Sequence, residues 1–134
     1  MNFKIIRDYY DYVSNLVAKS DLQSELHKIT YLPQTKHKGI VSARNLTFND
    51  GGLFRFIEEI QIDGNTLSRI KYSYHFERDA MFFRYDKDPD NVTPFSHAEC
   101  HLHALAEEPR YITHETNFEE VFNFVLACYY ADST

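Results

Sequence analysis

Three histidines and a cysteine cluster between residues 97 and 103 of this 134-residue chain, in the order His97-Ala-Glu-Cys100-His101-Leu-His103. Alternate residues of an extended strand point to the same face, so His101 and His103 would project side by side, about 7 Å apart. A neutral imidazole can ligate a metal, and it can also exchange a proton near neutral pH. The spacing therefore predicts either a proton-transfer pair or two ligands of one bound group. The alternative is a pair of partly exposed strand histidines that only form hydrogen bonds with their neighbours.

A second group of reactive side chains lies in Phe83-Arg84-Tyr85-Asp86. Arg84 and Asp86 would share one strand face, where the guanidinium could bind a phosphate and the carboxylate could orient a histidine. The alternative is a solvent-exposed salt bridge of little energetic consequence. We expect the strand that bears these residues to pair antiparallel with the histidine strand. The predicted catalytic site then consists of His101, His103, Arg84 and Asp86.

Metal binding is a further alternative for the histidine cluster. His101-x-His103 followed by Glu107 is similar to the first metal motif of cupins, but cupins surround that motif with glycines, and no glycine follows Gly64 here. A zinc site that combines Cys100 with the two histidines would lack the paired cysteine spacing of zinc modules. We expect no metal and no cofactor, and a small metal-dependent enzyme is the least favoured interpretation.

Hydrophobic periodicity predicts the elements that must position these residues. Apolar residues recur every three or four positions over 3–17 and again over 20–33, which predicts two N-terminal helices, the second stopped by Pro33. From residue 40 the pattern changes to short β-branched or aromatic segments separated by turn residues, which is typical of antiparallel hairpins. The predicted strands are 40–48, 53–62, 66–76, 81–86 and a strand around 101–105. The residues between the second helix and the first strand, 34–39, read as a loop.

The carboxyl end of the chain predicts a last helix over 117–130, which begins at a capping box formed by Thr116 and Glu119. The expected fold is therefore α+β, with an antiparallel meander of about five strands, two N-terminal helices and a C-terminal helix packed on the sheet. We expect residues 1–134 to form a single domain. Its helical part would be 1–33, and its sheet and last helix would be 40–134.

Strand alternation also predicts which side chains share a face. Phe54, Phe56, Ile60 and Ile62 fall on one face of their strand. Ile70, Tyr72, Tyr74 and Phe76 do so on the next, followed by Met81, Phe83 and Tyr85. We expect these apolar faces to pack against the last helix, because no other apolar surfaces match. The opposite face of the third predicted strand would carry Arg69, Lys71, Ser73 and His75.

Composition excludes several classes of protein. Apolar residues make up 43% of the chain, with ten tyrosines and eleven phenylalanines, so wholesale disorder is excluded. No apolar run is long enough to span a membrane, and we expect no secretory signal at the amino terminus. Only four glycines occur, which excludes a dinucleotide fingerprint or a P-loop. Two cysteines fit a reducing cytoplasm better than a disulfide framework.

The charge of the chain is distributed unevenly about a net value of −6. Residues 1–48 hold seven Lys or Arg against four Asp or Glu, whereas residues 49–134 hold seven against sixteen. A protein that coats nucleic acid is usually basic, so simple coating is disfavoured. The acidic part would instead suit a basic protein partner.

Taken in order, five motifs resemble those of the TumE family of small toxins. They are Tyr72-Ser-Tyr74-His75, Phe83-Arg84-Tyr85-Asp86, His101-Leu-His103, Glu108-Pro109-Arg-Tyr111 and Glu119-Glu120-Val-Phe122. The resemblance covers about residues 66–126, and Arg-Tyr-Asp followed by His-x-His is its most specific part. Lys87 stands where many members have Asn, and Glu99-Cys100 stands where many have Gly-Asp.

The resemblance implies the toxin of a type II toxin–antitoxin module, paired with a helix-turn-helix antitoxin and directed at RNA. On this interpretation His101 and His103 are the base and the acid of a metal-independent RNA cleavage. Arg84 would stabilise the charge on the phosphorane, and Asp86 would orient a histidine. A non-catalytic protein-binding module is the alternative that the residues leave open.

Overall fold

The computed structural model describes residues 2–20, 29–92 and 98–130. Within these residues the chain forms two helices and one seven-stranded sheet. Helix α1 (Ile6–Ala18) precedes the strands in the chain, and helix α2 (Phe118–Tyr129) follows them. The strands are β1 (Thr30–Thr35), β2 (Lys38–Thr47), β3 (Leu53–Asp63), β4 (Thr66–Arg78), β5 (Met81–Lys87), β6 (Cys100–Ala104) and β7 (Arg110–Ile112). A short 3₁₀ turn, Pro89–Asn91, follows β5. No helix in the described ranges is long and apolar enough to cross a bilayer.

Every strand pairs antiparallel with its neighbour in the chain, so the spatial order runs from β1 to β7 without a crossover. Tight turns make this order possible. Between β3 and β4, for example, Gly64 adopts a φ of 64°, which glycine tolerates without strain. The α+β class and the antiparallel meander are confirmed. The expectation of five strands was wrong, because β1 and β7 extend the sheet at both edges.

The predicted second N-terminal helix, 20–33, was wrong where it can be compared, and the loop predicted over 34–39 is shortened to a turn at Lys36 and His37. Thr30–Thr35 forms the edge strand β1, paired with β2 from Thr30 opposite Ser42 to Thr35 opposite Lys38. Residues 21–28 lie outside the described residues. Pro33 is compatible with β1, since an edge strand leaves half of its N–H groups outside the ladder.

Both helices pack on one face of the sheet, here called the inner face. The buried residues of α1 are Ile6, Tyr9, Val13 and Val17, and those of α2 are Phe118, Val121, Phe122 and Val125. The Phe122 ring meets Phe54 of β3 at a centroid distance of 5.5 Å. Burial of the aromatic strand faces against the last helix is therefore confirmed, and α1 shares that face.

The N-terminus of α2 differs from the predicted cap by one residue. Asn117, rather than Thr116, is the N-cap, and its side chain accepts a hydrogen bond of 2.8 Å from the backbone N–H of Glu120. Asparagine is among the strongest N-cap residues. Thr116 is instead buried, and its backbone N–H donates to the Tyr72 hydroxyl at 2.9 Å.

A β-bulge in β4 reverses the face of one charged residue. Glu59 of β3 pairs with Lys71, but the next residue, Ile60, pairs with Arg69, so Ile70 is the extra residue. A shift of one residue turns a side chain to the opposite face of the sheet. The expectation that Arg69 lies beside Lys71 on the outer face was therefore wrong, and Arg69 enters the inner face.

Arg69 completes a polar group in the middle of the aromatic core, here called the inner network: Glu58, Arg69, Tyr9 and Tyr74. The Glu58 side chain is 0% exposed and accepts hydrogen bonds from Tyr9 at 2.6 Å, from Arg69 Nε at 2.8 Å, and from Tyr74. Burial, reinforced by the nearby carboxylate, raises the pKa of Tyr9 and Tyr74, so both stay hydroxyl donors. The buried charge is paired and hydrogen-bonded, as burial requires.

Candidate active site

The pairing of β5 with β6 brings the four predicted site residues together. Asp86 lies opposite His101, and Arg84 lies opposite His103. Cross-strand partners project to the same side of a sheet, and these four side chains project to the outer face, away from both helices. The expected juxtaposition of the two strands is confirmed. We call Arg84, Asp86, His101 and His103 the outer cluster.

Asp86 is at the centre of the outer cluster. Its Oδ2 lies 3.4 Å from His101 Nε2 and 3.3 Å from His103 Nε2. The same oxygen accepts a hydrogen bond of 3.0 Å from Arg84 Nε. Three nitrogen-bearing side chains from two strands thus converge on one carboxylate oxygen.

Backbone carbonyls hold both imidazole rings in place. His101 Nδ1 lies 3.0 Å from the carbonyl oxygen of Ala98, and His103 Nδ1 lies 2.7 Å from that of Glu107. A carbonyl oxygen can only accept, so each Nδ1 carries a hydrogen and donates it. Each Nε2 is consequently the atom directed at Asp86. Both histidines are only 3% exposed, which limits other orientations.

Glu107 supports the outer cluster in a way that spacing alone did not reveal. Its carboxylate accepts two hydrogen bonds from the end of the Arg84 guanidinium, at 3.2 and 2.7 Å. This contact raises the pKa of Arg84 and lowers the pKa of Glu107. Glu107 therefore binds Arg84, and Asp86 takes the place beside the histidines that the cupin-like spacing gave to Glu107.

The backbone after β6 explains how Glu107 reaches this position. Leu105 adopts a φ of 69°, a left-handed conformation that costs a residue with a branched side chain about 1–3 kcal/mol. The chain turns there and returns as β7, so the Glu107 carbonyl lies over His103 and its carboxylate lies over Arg84. Strained backbone beside a reactive cluster is typical of functional sites.

Cys100 does not belong to the cluster. Its Sγ lies 3.9 Å from the Tyr72 hydroxyl, because alternation along β6 directs Cys100 to the face opposite that of its neighbour His101. Burial raises the pKa of the Cys100 thiol, which disfavours a thiolate ligand. A zinc site that combines Cys100 with the two histidines is therefore not supported. His97 lies outside the described residues.

A cavity of about 220 Å³ opens over the outer cluster. Besides the four cluster residues, its lining includes the basic side chains Lys71, Lys87 and Arg110. Each of these cations already has an acidic neighbour: Asp88 for Lys71, Glu115 for Lys87 and Glu108 for Arg110. The guanidinium can bind an anion and the imidazoles can exchange a proton, whereas the imidazoles and the carboxylate together can hold a cation.

Comparison with known proteins identifies one family that the chain matches. No curated protein and no solved structure matches the chain significantly. The sequence model of one family, described as Toxin TumE, matches residues 13–127. That range includes β1 to β7, the whole outer cluster and most of α2. Because the match extends over most of the chain, the protein belongs to the TumE family of toxins.

Proposed function

We propose that this protein is the toxin of a type II toxin–antitoxin module and that it cleaves RNA at the outer cluster. Membership of the TumE family supports the role of a toxin with an antitoxin partner. The convergence of His101, His103 and Arg84 on Asp86 carries the proposal of catalysis. Histidines that only formed separate hydrogen bonds on a sheet would not need to face the same carboxylate.

The chemistry required for RNA cleavage matches the side chains around the cavity. A base must remove the proton of the 2′-hydroxyl, and an acid must protonate the leaving oxygen. In a metal-free reaction His101 and His103 would fill these roles, while Asp86 would orient their rings. Arg84 would stabilise the charge that develops on the phosphorane. Lys71 and Arg110, at the cavity wall, would bind neighbouring phosphates.

Inducible expression in a bacterial host tests the proposal directly. We expect growth arrest with fragmented total RNA when the protein is expressed alone, and rescue when the adjacent antitoxin gene is expressed with it. The double variant His101→Gln/His103→Gln should fold and no longer arrest growth, because glutamine keeps the hydrogen bonding but cannot exchange protons near pH 7.

A matched control uses two histidines outside the cluster. His37, in the β1–β2 turn, and His114, before α2, are both exposed. The double variant His37→Gln/His114→Gln should arrest growth as the wild type does. Arrest that persists in a folded His101→Gln/His103→Gln variant would show that these histidines are not catalytic.

A non-catalytic binding module is the second candidate, and one contact favours it. Arg84 is held by both Asp86 and Glu107, so its guanidinium must leave Glu107 before it can bind a phosphate through two nitrogens. Growth arrest with intact RNA would support this candidate. Glu107→Gln separates the two functions, because a weaker hold on Arg84 should increase RNA cleavage but should not increase binding to a protein.

The proposed antitoxin is a helix-turn-helix protein that meets this chain in the cytoplasm, where Cys100 and Cys128 would stay reduced as they are here. Glu119 and Glu120 are exposed in the first turn of α2, and its last turn has no basic residue. A basic partner would be attracted to this helix, and such steering makes association fast and sensitive to salt. An association rate that stays constant from low to high salt would contradict this surface.

A further inference from the structure

We infer that Asp86, His101 and His103 form a binding site for one divalent first-row transition-metal ion. The inference deepens the proposed function, and it rests on that function only for what the ion would do to RNA. Whether the ion binds is a property of the three side chains themselves.

Two of the three separations within the triad match those of ligands around one ion. The ligand atoms of Asp86, His101 and His103 all lie within 4.8 Å of one another. Ligands held about 2.1 Å from an ion at tetrahedral or octahedral angles are roughly 3.0–3.4 Å apart. The observed distances from Asp86 Oδ2 to the two Nε2 atoms, 3.3 and 3.4 Å, fall at the upper end of that range.

The direction of the lone pairs of neutral imidazoles also favours a positive charge between these atoms. Since Nδ1 of each ring donates to a carbonyl, each neutral imidazole presents the lone pair of Nε2 to the carboxylate. Lone pairs that face a carboxylate oxygen at such distances repel it. A metal ion bound to all three atoms turns that repulsion into ligation. Protons on both Nε2 atoms are the competing arrangement, and they are an outcome of the experiment below.

The surroundings of the triad resemble those of an organised metal site. Metal-binding histidines usually donate their second ring N–H to a carbonyl or a carboxylate, which fixes the ring, and His101 and His103 both do so. Asp86 is held by Arg84 Nε. Its Oδ1 is buried and has no hydrogen-bond partner among the described residues, although buried oxygens normally have one. A second bond to an ion would satisfy this oxygen.

Ligand chemistry selects the class of ion. Two imidazoles and one carboxylate suit zinc, manganese, iron or cobalt, whereas magnesium and calcium prefer oxygen ligands throughout. Three protein ligands leave coordination positions open towards the 220 Å³ cavity, where water or a phosphate oxygen can bind. An ion there would bind the phosphate directly and would make the histidines ligands instead of proton carriers.

Metal titration of the full, untagged chain tests the site without any RNA. After treatment with a chelator, the protein is titrated with Co²⁺, followed by visible absorption, and with Zn²⁺, followed by calorimetry. We expect one ion per chain and a melting temperature that rises with the concentration of metal, because the ion binds only the folded state. Asp86→Asn, His101→Gln and His103→Gln should each weaken binding more than about tenfold, at least the loss seen when outer-shell partners are removed.

His75→Gln is the matched control, because His75 is also buried on the outer face but lies outside the triad. It should bind the metal as the wild type does. If a triad variant unfolds, the imidazole ¹⁵N spectrum of the wild type decides: Zn²⁺ should shift two Nε2 resonances. The metal site would be overturned if both Nε2 atoms kept their protons in the presence of Zn²⁺. It would also be overturned if metal binding persisted in all three triad variants.

Separate readouts distinguish this inference from the proposed function. A chain that binds one ion through the triad but neither arrests growth nor cleaves RNA would overturn the proposed function and leave the metal site in place. RNA cleavage that continues unchanged in chelator, in a chain that binds no Zn²⁺ or Co²⁺, would support the metal-free histidine pair and overturn the metal site.

Discussion

The sheet carries a polar group on each face, and both are built around a carboxylate. On the inner face, Glu58 is fully buried and receives hydrogen bonds from two tyrosines and an arginine. On the outer face, Asp86 is 17% exposed at its side chain, faces two imidazole Nε2 atoms and borders a cavity. Helix α1 covers the inner network, whereas the described elements of the structure leave one side of the outer cluster open to solvent.

The difference separates a structural from a reactive use of the same chemical group. A buried carboxylate whose charge and hydrogen bonds are satisfied has no capacity left for a ligand, and it ties α1 to β3 and β4. Asp86 keeps one buried oxygen without a hydrogen-bond partner among the described residues, next to histidines that can bind a proton or an ion. We therefore expect substitutions in the inner network to affect stability, and substitutions in the outer cluster to affect activity.

The largest expected effect is the loss of stability in Glu58→Ala. Removal of the carboxylate leaves Arg69 without its partner in a largely buried position, and breaking a buried ion pair costs about 3–5 kcal/mol. Urea denaturation measures the loss. Glu59→Ala, one residue along on the other face of β3, is the control and should change the free energy of unfolding by less than about 0.5 kcal/mol. Equal effects at both positions would contradict a structural role for the inner network.

A smaller loss should follow Tyr9→Phe, which removes one of the hydroxyl donors to Glu58 but keeps the ring. A hydrogen bond to a charged group contributes about 1.5–3 kcal/mol. The control is Tyr10→Phe, since the neighbouring Tyr10 stacks on Tyr31 with ring centroids 5.3 Å apart, and phenylalanine preserves that stacking. If the two variants melt at the same temperature, the Tyr9 hydroxyl does not hold α1 to the sheet.

Asp86→Asn should affect activity more than stability. Asparagine has the same shape as aspartate, and Arg84 keeps the Glu107 carboxylate as a partner, so the free energy of unfolding should fall by less than in Glu58→Ala. Growth arrest should nevertheless be lost, because a neutral amide has no negative charge to pair with protonated imidazoles or with a bound cation. Asp90→Asn, at an exposed position near the cavity, should keep the wild-type toxicity. A stable Asp86→Asn variant that remains toxic would remove Asp86 from the active site.

The smallest expected effect concerns pH and the third buried histidine of the outer face. Burial lowers the pKa of His75; the facing Arg55 and Arg84 lower it further, and Glu77 opposes the shift. The unfolded chain therefore takes up this proton first, near pH 6.5, and the stability of the folded protein falls as the pH decreases through that value. His75→Gln should make the decrease in unfolding free energy between pH 7 and pH 5 less steep. His37→Gln should keep the wild-type slope, and identical slopes in all three proteins would contradict the assignment.

Short-range patterns were sufficient for most of the fold. Alternation and turn residues predicted β2 to β6, and the three- and four-residue period predicted α1 and α2. The same rules failed at β1, because an edge strand of six residues with one proline has too little periodicity to be told from the end of a helix. They also failed at Ile70, because a β-bulge depends on how β3 and β4 are aligned and has no signal in β4 alone.

The sequence by itself determined which residues could form the outer cluster, since His-x-His and Arg-x-Asp each fix one face of a strand through the period of two. Only the tertiary structure decided where those faces meet: the register of β5 against β6 places Asp86 opposite His101, and the turn at Leu105 brings Glu107 to Arg84. Likewise, alternation along β3 places Glu58 between Phe56 and Ile60 on the inner face, but the bulge that supplies Arg69 and the packing of α1 that supplies Tyr9 made its burial possible. Local periodicity determines the face of a strand to which each side chain points, whereas the distances between side chains on different strands depend on contacts between residues far apart in the chain.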